Sequence, residues 1–563
     1  MVRAMQIAVS CLVAGILFSF FIVKDLGGDS GNVLWRFDLT KTHLKHEWSM
    51  PYFSPAHCGG FHLAADAQDF IFSIYMAVSF LIPNTLFSVK LTNLLLSIIL
   101  IIGIYKWLGI FNISERFVKL FGGILGAITG YWMVNITQGG HLWAHGFAYT
   151  PWILWLVEYF LETKPVLTRP YFAKLLSLMG MFFLLINSGY YWLQVAFPLI
   201  LSRMFVFWFS CIHSRNMREG LQKTFAIALA GLGGIILSLA RLAGVYEFQL
   251  KKFPRQGGMV GHMQVIGNNI QLMKAYIVSF FDPALTINAP RDPMMGFMWD
   301  HNNYFGVVTV IPLVLGLIAL NKVIKNKAFW ALVVACLFQV ALTRTTHMAD
   351  LERMIIPIFK QITWYWRGSG ILVLFLIVLV SVGLDFFIRR GREIGHYLSL
   401  LLMIGICLDI FWVQEHQIKF TFKPESYRIY QRPSQPTDPL IYPYGTCKIG
   451  DIFGYGNENP PQISVSDGSV FDKPKRGGNE YYNLHDVRVL GSSCADGGYF
   501  LSHNWPLFPK KDKDVFERFI NYHQIVPLPP YLLALNWLCL MGWVVYITLI
   551  SRLIFLKFLF PQS

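Results

Sequence analysis

The chain has 563 residues, of which 55% are hydrophobic, 16% aromatic and only 14% charged, with a mean hydropathy of +0.47. Soluble globular proteins carry about 25% charged residues, so this composition excludes a soluble enzyme, a disordered chain and a nucleic-acid binder. The 47 Lys and Arg against 32 Asp and Glu leave a net charge of +15, which in so apolar a chain reads as the basic excess of cytoplasmic loops.

A helix needs about 20 mostly apolar residues to cross the hydrocarbon core of a membrane. Twelve segments meet or approach that length: 5–24, 89–105, 117–137, 144–161, 173–187, 190–210, 224–245, 304–321, 328–343, 369–388, 397–414 and 531–551. The first has the position of a signal peptide, but Phe20-Phe21-Ile22-Val23-Lys24 offers no small-residue cleavage site, so it is expected to be retained. The apolar run from Phe70 to Pro83 is too short to cross and is expected to lie in the interface.

Charge tests this registration. With 70–83 not crossing and the N-terminus inside, alternate connections carry 18 Lys and Arg, including Lys106, Arg116, Lys164, Arg215, Lys322 and Arg389, whereas the short opposite connections 138–143 and 188–189 carry none. The positive-inside rule then predicts an all-α polytopic protein of the plasma (inner) membrane, with twelve transmembrane helices and both termini cytoplasmic.

Every long polar segment then falls outside. These are the first outer loop 25–88, the loops 246–303 and 344–368, and a region over 415–530 that is large enough for a small extracytoplasmic domain. The membrane domain therefore covers 1–414, and 531–563 holds the last helix and a cytoplasmic tail. Alternating runs over 462–466 and 487–490 predict short strands in the outer domain, giving it an α/β or β-rich character. Of the eight Cys, none in a CxxC pair, Cys447 and Cys494 are the two in this domain, and an oxidising exterior makes them an expected disulfide, with two buried thiols the alternative.

The first outer loop is the richest in chemistry. Pro51, Pro55 and Gly59-Gly60 dictate a tightly folded loop. Asp66 and Asp69 follow, three residues apart and so on one helical face. They read either as helix N-terminal acids or as carboxylates aimed into a cavity at the membrane surface, as general base or cation ligand. His141 and His145 are four apart and would share a face on a helix, but no HExxH glutamate accompanies them. They read as interfacial histidines among aromatics or as contacts to phosphate or acceptor. Arg255, Arg291, Arg344, Arg353 and Arg367 stand in outer segments against the basic bias, and arginine recognises phosphate bidentately. Arg367 is the strongest of these, because Gly368-Ser369-Gly370 lets backbone approach a ligand.

Two acids lie within predicted spans. Asp385 is expected to pair with Arg389 four residues on. Asp409 is expected to face protein, with structural hydrogen bonding the first reading and proton relay the second. The glycines of 122–130 and 231–234 read as close helix packing. No Walker A, dinucleotide or GxSxG signature appears, so a nucleotide donor in a cytosolic domain is not expected.

The ordered series Trp48…Pro51-Tyr52-Phe53…Gly59-Gly60…Ala65-Asp66-Ala67-Gln68, Gly140-His141, Tyr149-Thr150-Pro151, Asn187-Ser188-Gly189-Tyr190, Phe253-Pro254-Arg255, Tyr304-Phe305-Gly306 and Arg367-Gly368 resembles the YfhO-like bacterial multispanning family. That family is in turn similar to the GT-C superfamily of glycosyltransferases. The resemblance covers residues 1 to about 415. It implies a GT-C-type hexosyl- or pentosyltransferase, inverting, that takes a sugar from a polyprenyl-phosphate donor to an extracytoplasmic acceptor: a cell-envelope glycopolymer, a glycolipid or a protein. Asp66 matches the family's catalytic acid, and a divalent cation (Mg or Mn) is compatible with that chemistry although no ligand set demands one. The alternative class is a transporter or flippase of lipid-linked saccharides, which would be expected to show matched halves with mid-membrane charges; here the halves do not match and the polar mass lies on one side.

Overall fold

The structure is a computed structural model. It describes residues 11–23, 37, 40–41, 53–54, 61–62, 71–137, 142–166, 168–189, 192–247, 277–284, 303–344, 368–421, 447–448, 462–463, 499–500, 507–508 and 530–559. Helices dominate. In chain order they are α1 (Cys11–Val23), α2 (Ile74–Leu81), α3 (Thr85–Leu108), α4 (Arg116–Ile128), α5 (Gly130–Thr137), α6 (Gly146–Glu162), α7 (Arg169–Ile186), α8 (Phe197–His213), α9 (Met217–Leu237), α10 (Leu239–Gly244), α11 (Val310–Ile318) and α12 (Lys327–Arg344). They continue with α13 (Gly370–Gly391) and α14 (Glu393–His416) and end with α15 (Pro530–Leu559).

Seven of the described helices are long and apolar enough to cross a membrane, and eight if the bent pair α4–α5 counts as one span. The other four predicted spans coincide with shorter helices: α1, α6, and the apolar stretches Val307–Ile318 and Lys327–Val340. Helix α2 has eight residues, far too short to cross. The surface agrees with a lipid solvent. Phe205, Phe209, Leu221, Phe225, Leu337, Leu401 and Trp537 are all exposed, and leaving such side chains in water forgoes about 1.5–3 kcal/mol each. Burial also sorts the spans: 72% of the α13 window is enclosed by protein against 6% for α15, so α13 runs through the middle and α15 along the edge.

Residues 370–421 are helical throughout, yet a straight helix of that length would run about 78 Å. Gly395 lies against the carbonyls of Phe387 and Ile388, so the chain doubles back between α13 and α14. Small residues permit the tightest crossings. Gly316 of α11 faces the Leu379 backbone, and Gly383 of α13 faces the carbonyl of Pro312. Gly123 abuts the carbonyl of Ile101, and Gly234 packs on Phe182. Gly231, by contrast, has nothing within 4 Å, so the close packing expected of 231–234 holds for Gly233 and Gly234 alone.

Two predicted spans are broken. The 117–137 segment bends by 43° between α4 and α5; Thr129 ends α4, and the Gly130 N–H donates to the carbonyl of Tyr304 at 2.9 Å. The 224–245 segment breaks at Ser238. The Leu237 carbonyl freed there accepts from the Trp543 indole at 3.1 Å, which answers the demand a helix break makes for new partners.

Long-range contacts group the connections into two ends. At one, Asn326 reaches the Ile110 carbonyl, Lys327 reaches Ser210, Lys223 reaches the Leu161 carbonyl and Arg169 reaches the Leu553 carbonyl. Asp385 accepts from the Ser114 N–H and hydroxyl at 3.0 Å and from the Glu115 N–H at 3.1 Å, capping α4 from a neighbouring helix. These are the connections predicted to share the basic, inner side. The expected Asp385–Arg389 pair is present at 3.0 Å. At the opposite end, Arg241 meets Asn187, Tyr304 meets Asp409 and Tyr531 meets Glu247.

In the predicted outer domain, the described residues form two antiparallel ladders, Cys447–Lys448 with Gln462–Ile463 and Tyr499–Phe500 with Leu507–Phe508. A third pairs Phe53–Ser54 with Phe61–His62 within the predicted first outer loop. The predicted strand over 487–490 and Cys494 lie outside the described residues, as does the side chain of Cys447.

Candidate functional site

The end opposite the basic connections holds a buried polar cluster drawn from α2, α3, α5 and α6. Ser73 caps α2 by accepting from the Met76 N–H, which sets Tyr75 in the first turn. There the Tyr75 hydroxyl donates to Asn93 Oδ1 of α3 at 2.5 Å. Asn93 in turn donates to the Ile136 carbonyl of α5 at 3.4 Å. His145 ends the 3-10 turn Leu142–His145 just before α6 and is fully buried. Its ring meets Tyr75 edge-on at 5.5 Å and Tyr149 edge-on at 5.7 Å. Burial, with a smaller contribution from nearby Tyr149, holds the Tyr75 phenol well above the ordinary tyrosine range, so it remains a protonated donor.

The Tyr149 hydroxyl is buried and has no hydrogen-bond partner among the described residues. An unsatisfied buried hydroxyl costs about 1–3 kcal/mol, and an oxygen acceptor placed beside it would recover that cost. The helix carrying it is loosened locally, since Pro151 lies inside α6 and removes a backbone donor. Nearby, the Lys41 ammonium lies 3.4 Å from the Ser79 carbonyl, 3.3 Å from that of Pro83 and 3.2 Å from the Thr85 hydroxyl. It gathers the carbonyl end of α2, where a cation is favoured.

A second group lies at the same end. Arg241 is 2% exposed and donates to the Asn187 carbonyl at 2.6 Å; Asn187 Nδ2 donates to Ser238 Oγ at 2.9 Å. Glu247 accepts from the Tyr531 hydroxyl. A third group ties the start of the eighth predicted span to α14 through Asp409, which accepts from Tyr304 and from the Val308 N–H. Asp409 is thus held in the structural role expected first.

Among the predicted site residues, Asp66, Asp69, His141, Arg255, Arg291, Arg353 and Arg367 lie outside the described residues, and of Arg344 only the backbone is described. His145 is described: it ends the 3-10 turn Leu142–His145, where its fully buried ring lies among aromatics, against Tyr75 and Tyr149. Sequence reasoning missed Tyr75, Asn93, Tyr149, Lys41, Arg241 and Glu247. A polar residue inside an apolar run was the available signal for Asn93 and Arg241, whereas the tyrosines are indistinguishable from ordinary interfacial aromatics. Among the described residues, no three His, Cys, Asp or Glu side chains gather in a way that could hold a metal ion.

No protein-family model matches the sequence, and no curated protein does. Solved structures similar to the chain include the oligosaccharyltransferase of Archaeoglobus fulgidus in complex with zinc and sulfate, at 12% identity and a TM-score of 0.43, covering 81% of this chain and 63% of that one. Another is the archaeal oligosaccharyltransferase AglB from the same organism in complex with an inhibitory peptide and a dolichol-phosphate, at 12% identity and a TM-score of 0.44, covering 82% and 65%. The chain therefore spans less than two thirds of the length of these neighbours.

Proposed function

We propose that the chain is a GT-C-type membrane glycosyltransferase that moves a sugar from a polyprenyl-phosphate donor to an acceptor outside the cytoplasm. The observation that carries this reading is the buried Tyr75–His145–Tyr149–Asn93 cluster. It begins six residues after Asp69 and nine after Asp66, so the acids predicted to act chemically are tied by a short chain to a group of neutral hydrogen-bond donors. Glycosyl transfer from a lipid phosphate needs such a pairing: a base for the acceptor proton, and donors to hold sugar hydroxyls and the departing phosphate. In this reading Asp66 is the base and Asp69 its neighbour, while His141 and the outer arginines, Arg367 foremost, face the phosphate. The basic end of the bundle is taken as cytoplasmic.

The test is transfer of labelled sugar from a synthetic polyprenyl-phosphate donor by purified protein in detergent, where no gradient can exist. Turnover is expected, and Asp66→Ala is expected to abolish it while the variant still inserts and purifies as a single species. General-base assistance is worth about 10²–10⁴-fold, so a variant that keeps wild-type turnover refutes the assignment of Asp66. Donor movement across sealed vesicles without any sugar transfer would instead select the transporter reading.

A further inference from the structure

We infer that the basic end of the bundle holds a second binding site, specific for the phosphate group of an anionic ligand and separate from the proposed catalytic site at the opposite end. A cavity of about 510 Å³ opens there between the last turn of α6, the second half of α8, the first turn of α9 and the connection 322–327. Five of its lining residues are basic and two are acidic. Of the two acids, Glu219 is occupied by Lys223 at 2.7 Å and by Asn216 at 2.6 Å.

Arg203 is the built element of this site. It is 5% exposed, and it turns Nε and Nη2 to Glu158, the latter at 2.7 Å. Nη1 is buried with no hydrogen-bond partner among the described residues, and Arg203 lines the cavity. A charged donor left unmet inside a protein costs more than a neutral one, whereas a phosphate oxygen at this point would complete the guanidinium fork. Two helix N-termini open onto the same cavity. Asn216 precedes α9 with no side-chain cap bond, and Asn326 precedes α12, its Oδ1 accepting from the Ala328 N–H at 2.8 Å. Both are lining residues, and helix N-termini favour anions. Lys325 forms no ion pair among the described residues, and Lys327 reaches Ser210 Oγ at 2.6 Å. The volume falls within the roughly 300–1,000 Å³ of small-molecule sites, so it has room for a group larger than bare phosphate. That ligand is a phosphate ester, carried either on a lipid headgroup or on a free solute.

The test uses purified full-length protein in neutral detergent, titrated separately with inorganic phosphate and with dioleoyl phosphatidic acid, and read by native mass spectrometry and thermophoresis. Arg203→Ala would strand Glu158 and is expected to fold poorly, so the test rests on Lys325→Glu combined with Lys327→Gln. Arg552→Gln, a basic residue of the same end outside the cavity, is the control. The double variant is expected to weaken binding at least tenfold and the control to leave it unchanged. Loss confined to phosphatidic acid assigns a lipid source, and equal loss for both probes assigns a soluble phosphate ester. Wild-type affinity in the double variant, or no binding of either probe to the wild type, overturns the site.

Discussion

The Tyr304 hydroxyl donates to Asp409 Oδ1 at 2.7 Å while Asp409 Oδ2 accepts from the Val308 N–H at 3.1 Å. Both oxygens of one carboxylate thus hold the turn that launches α11. Gly306 makes the turn possible: its φ of +104° suits glycine alone, and Asp409 Oδ2 stands 3.0 Å from where a Cβ would be. Asp409→Ala removes the acceptor for two part-buried donors at once, and an unmet donor costs up to about 1–3 kcal/mol when fully buried. The apparent unfolding midpoint in detergent is expected to fall well below that of wild type, with Tyr304→Phe falling less. An unchanged midpoint for Asp409→Ala would mean that the turn is held by other contacts.

Glu158 and Arg203 pair across α6 and α8, with side-chain exposures of 5% and 6%. Breaking such a pair from one side costs about 3–5 kcal/mol, whereas replacing both partners by apolar residues of similar volume is often neutral. Glu158→Leu alone and Arg203→Met alone are therefore expected to destabilise strongly, and the double variant to recover most of the loss. A thermal double-mutant cycle checks this; additive losses would show that the two charges are not coupled.

How far the fold could be read from the sequence follows from which forces act locally. Hydrophobic length and loop charge are local properties, so seven described helices, or eight with the bent pair, are long and apolar enough to cross a membrane, the remaining predicted spans fall on shorter helices, and the predicted inner connections meet at one end. The breaks at Thr129-Gly130 and Ser238 were not legible, because one glycine among the several of 122–130, or a lone serine, does not by itself mark where a span breaks. The backbone groups freed there meet partners far along the chain, Tyr304 at the first and Trp543 at the second. The Asp385–Arg389 pair was readable from its spacing of four, but the capping of Ser114 and Glu115 by the same carboxylate was not, since it depends on α13 crossing the start of α4. In the candidate site, His145 drew notice through its spacing of four from His141. Tyr75 did not, and Tyr149 entered only through the Tyr149-Thr150-Pro151 element of the ordered series, because tyrosines in an aromatic-rich chain carry no distinguishing pattern until their neighbours are known.

Glycine crossings supply a prediction with a built-in control. A methyl at Gly383 would fall on the Pro312 carbonyl, backbone that cannot swing away, whereas one at Gly231 would meet nothing within 4 Å. Overpacking a tight site costs about 1–3 kcal/mol, while alanine in an exposed helix position gains about 0.5–1 kcal/mol over glycine. Gly383→Ala is expected to lower the unfolding midpoint, and Gly231→Ala to leave it level or raise it. Equal midpoints would mean that α11 and α13 can separate at little cost.

Tyr149 separates a structural role from a functional one. Its hydroxyl is buried without a partner, so Tyr149→Phe removes an unmet donor and is expected to leave stability unchanged or improved. Tyr75→Phe instead takes away the donor to Asn93 and is expected to cost about 1 kcal/mol. If the Tyr149 hydroxyl serves a bound donor or acceptor oxygen, kcat/KM for sugar transfer falls in Tyr149→Phe by roughly 2- to 12-fold, the equivalent of about 0.5–1.5 kcal/mol for one hydrogen bond. A stable Tyr149→Phe enzyme with undiminished transfer would place the reacting sugar elsewhere. The combination of preserved folding and reduced turnover is one that a purely structural tyrosine cannot produce.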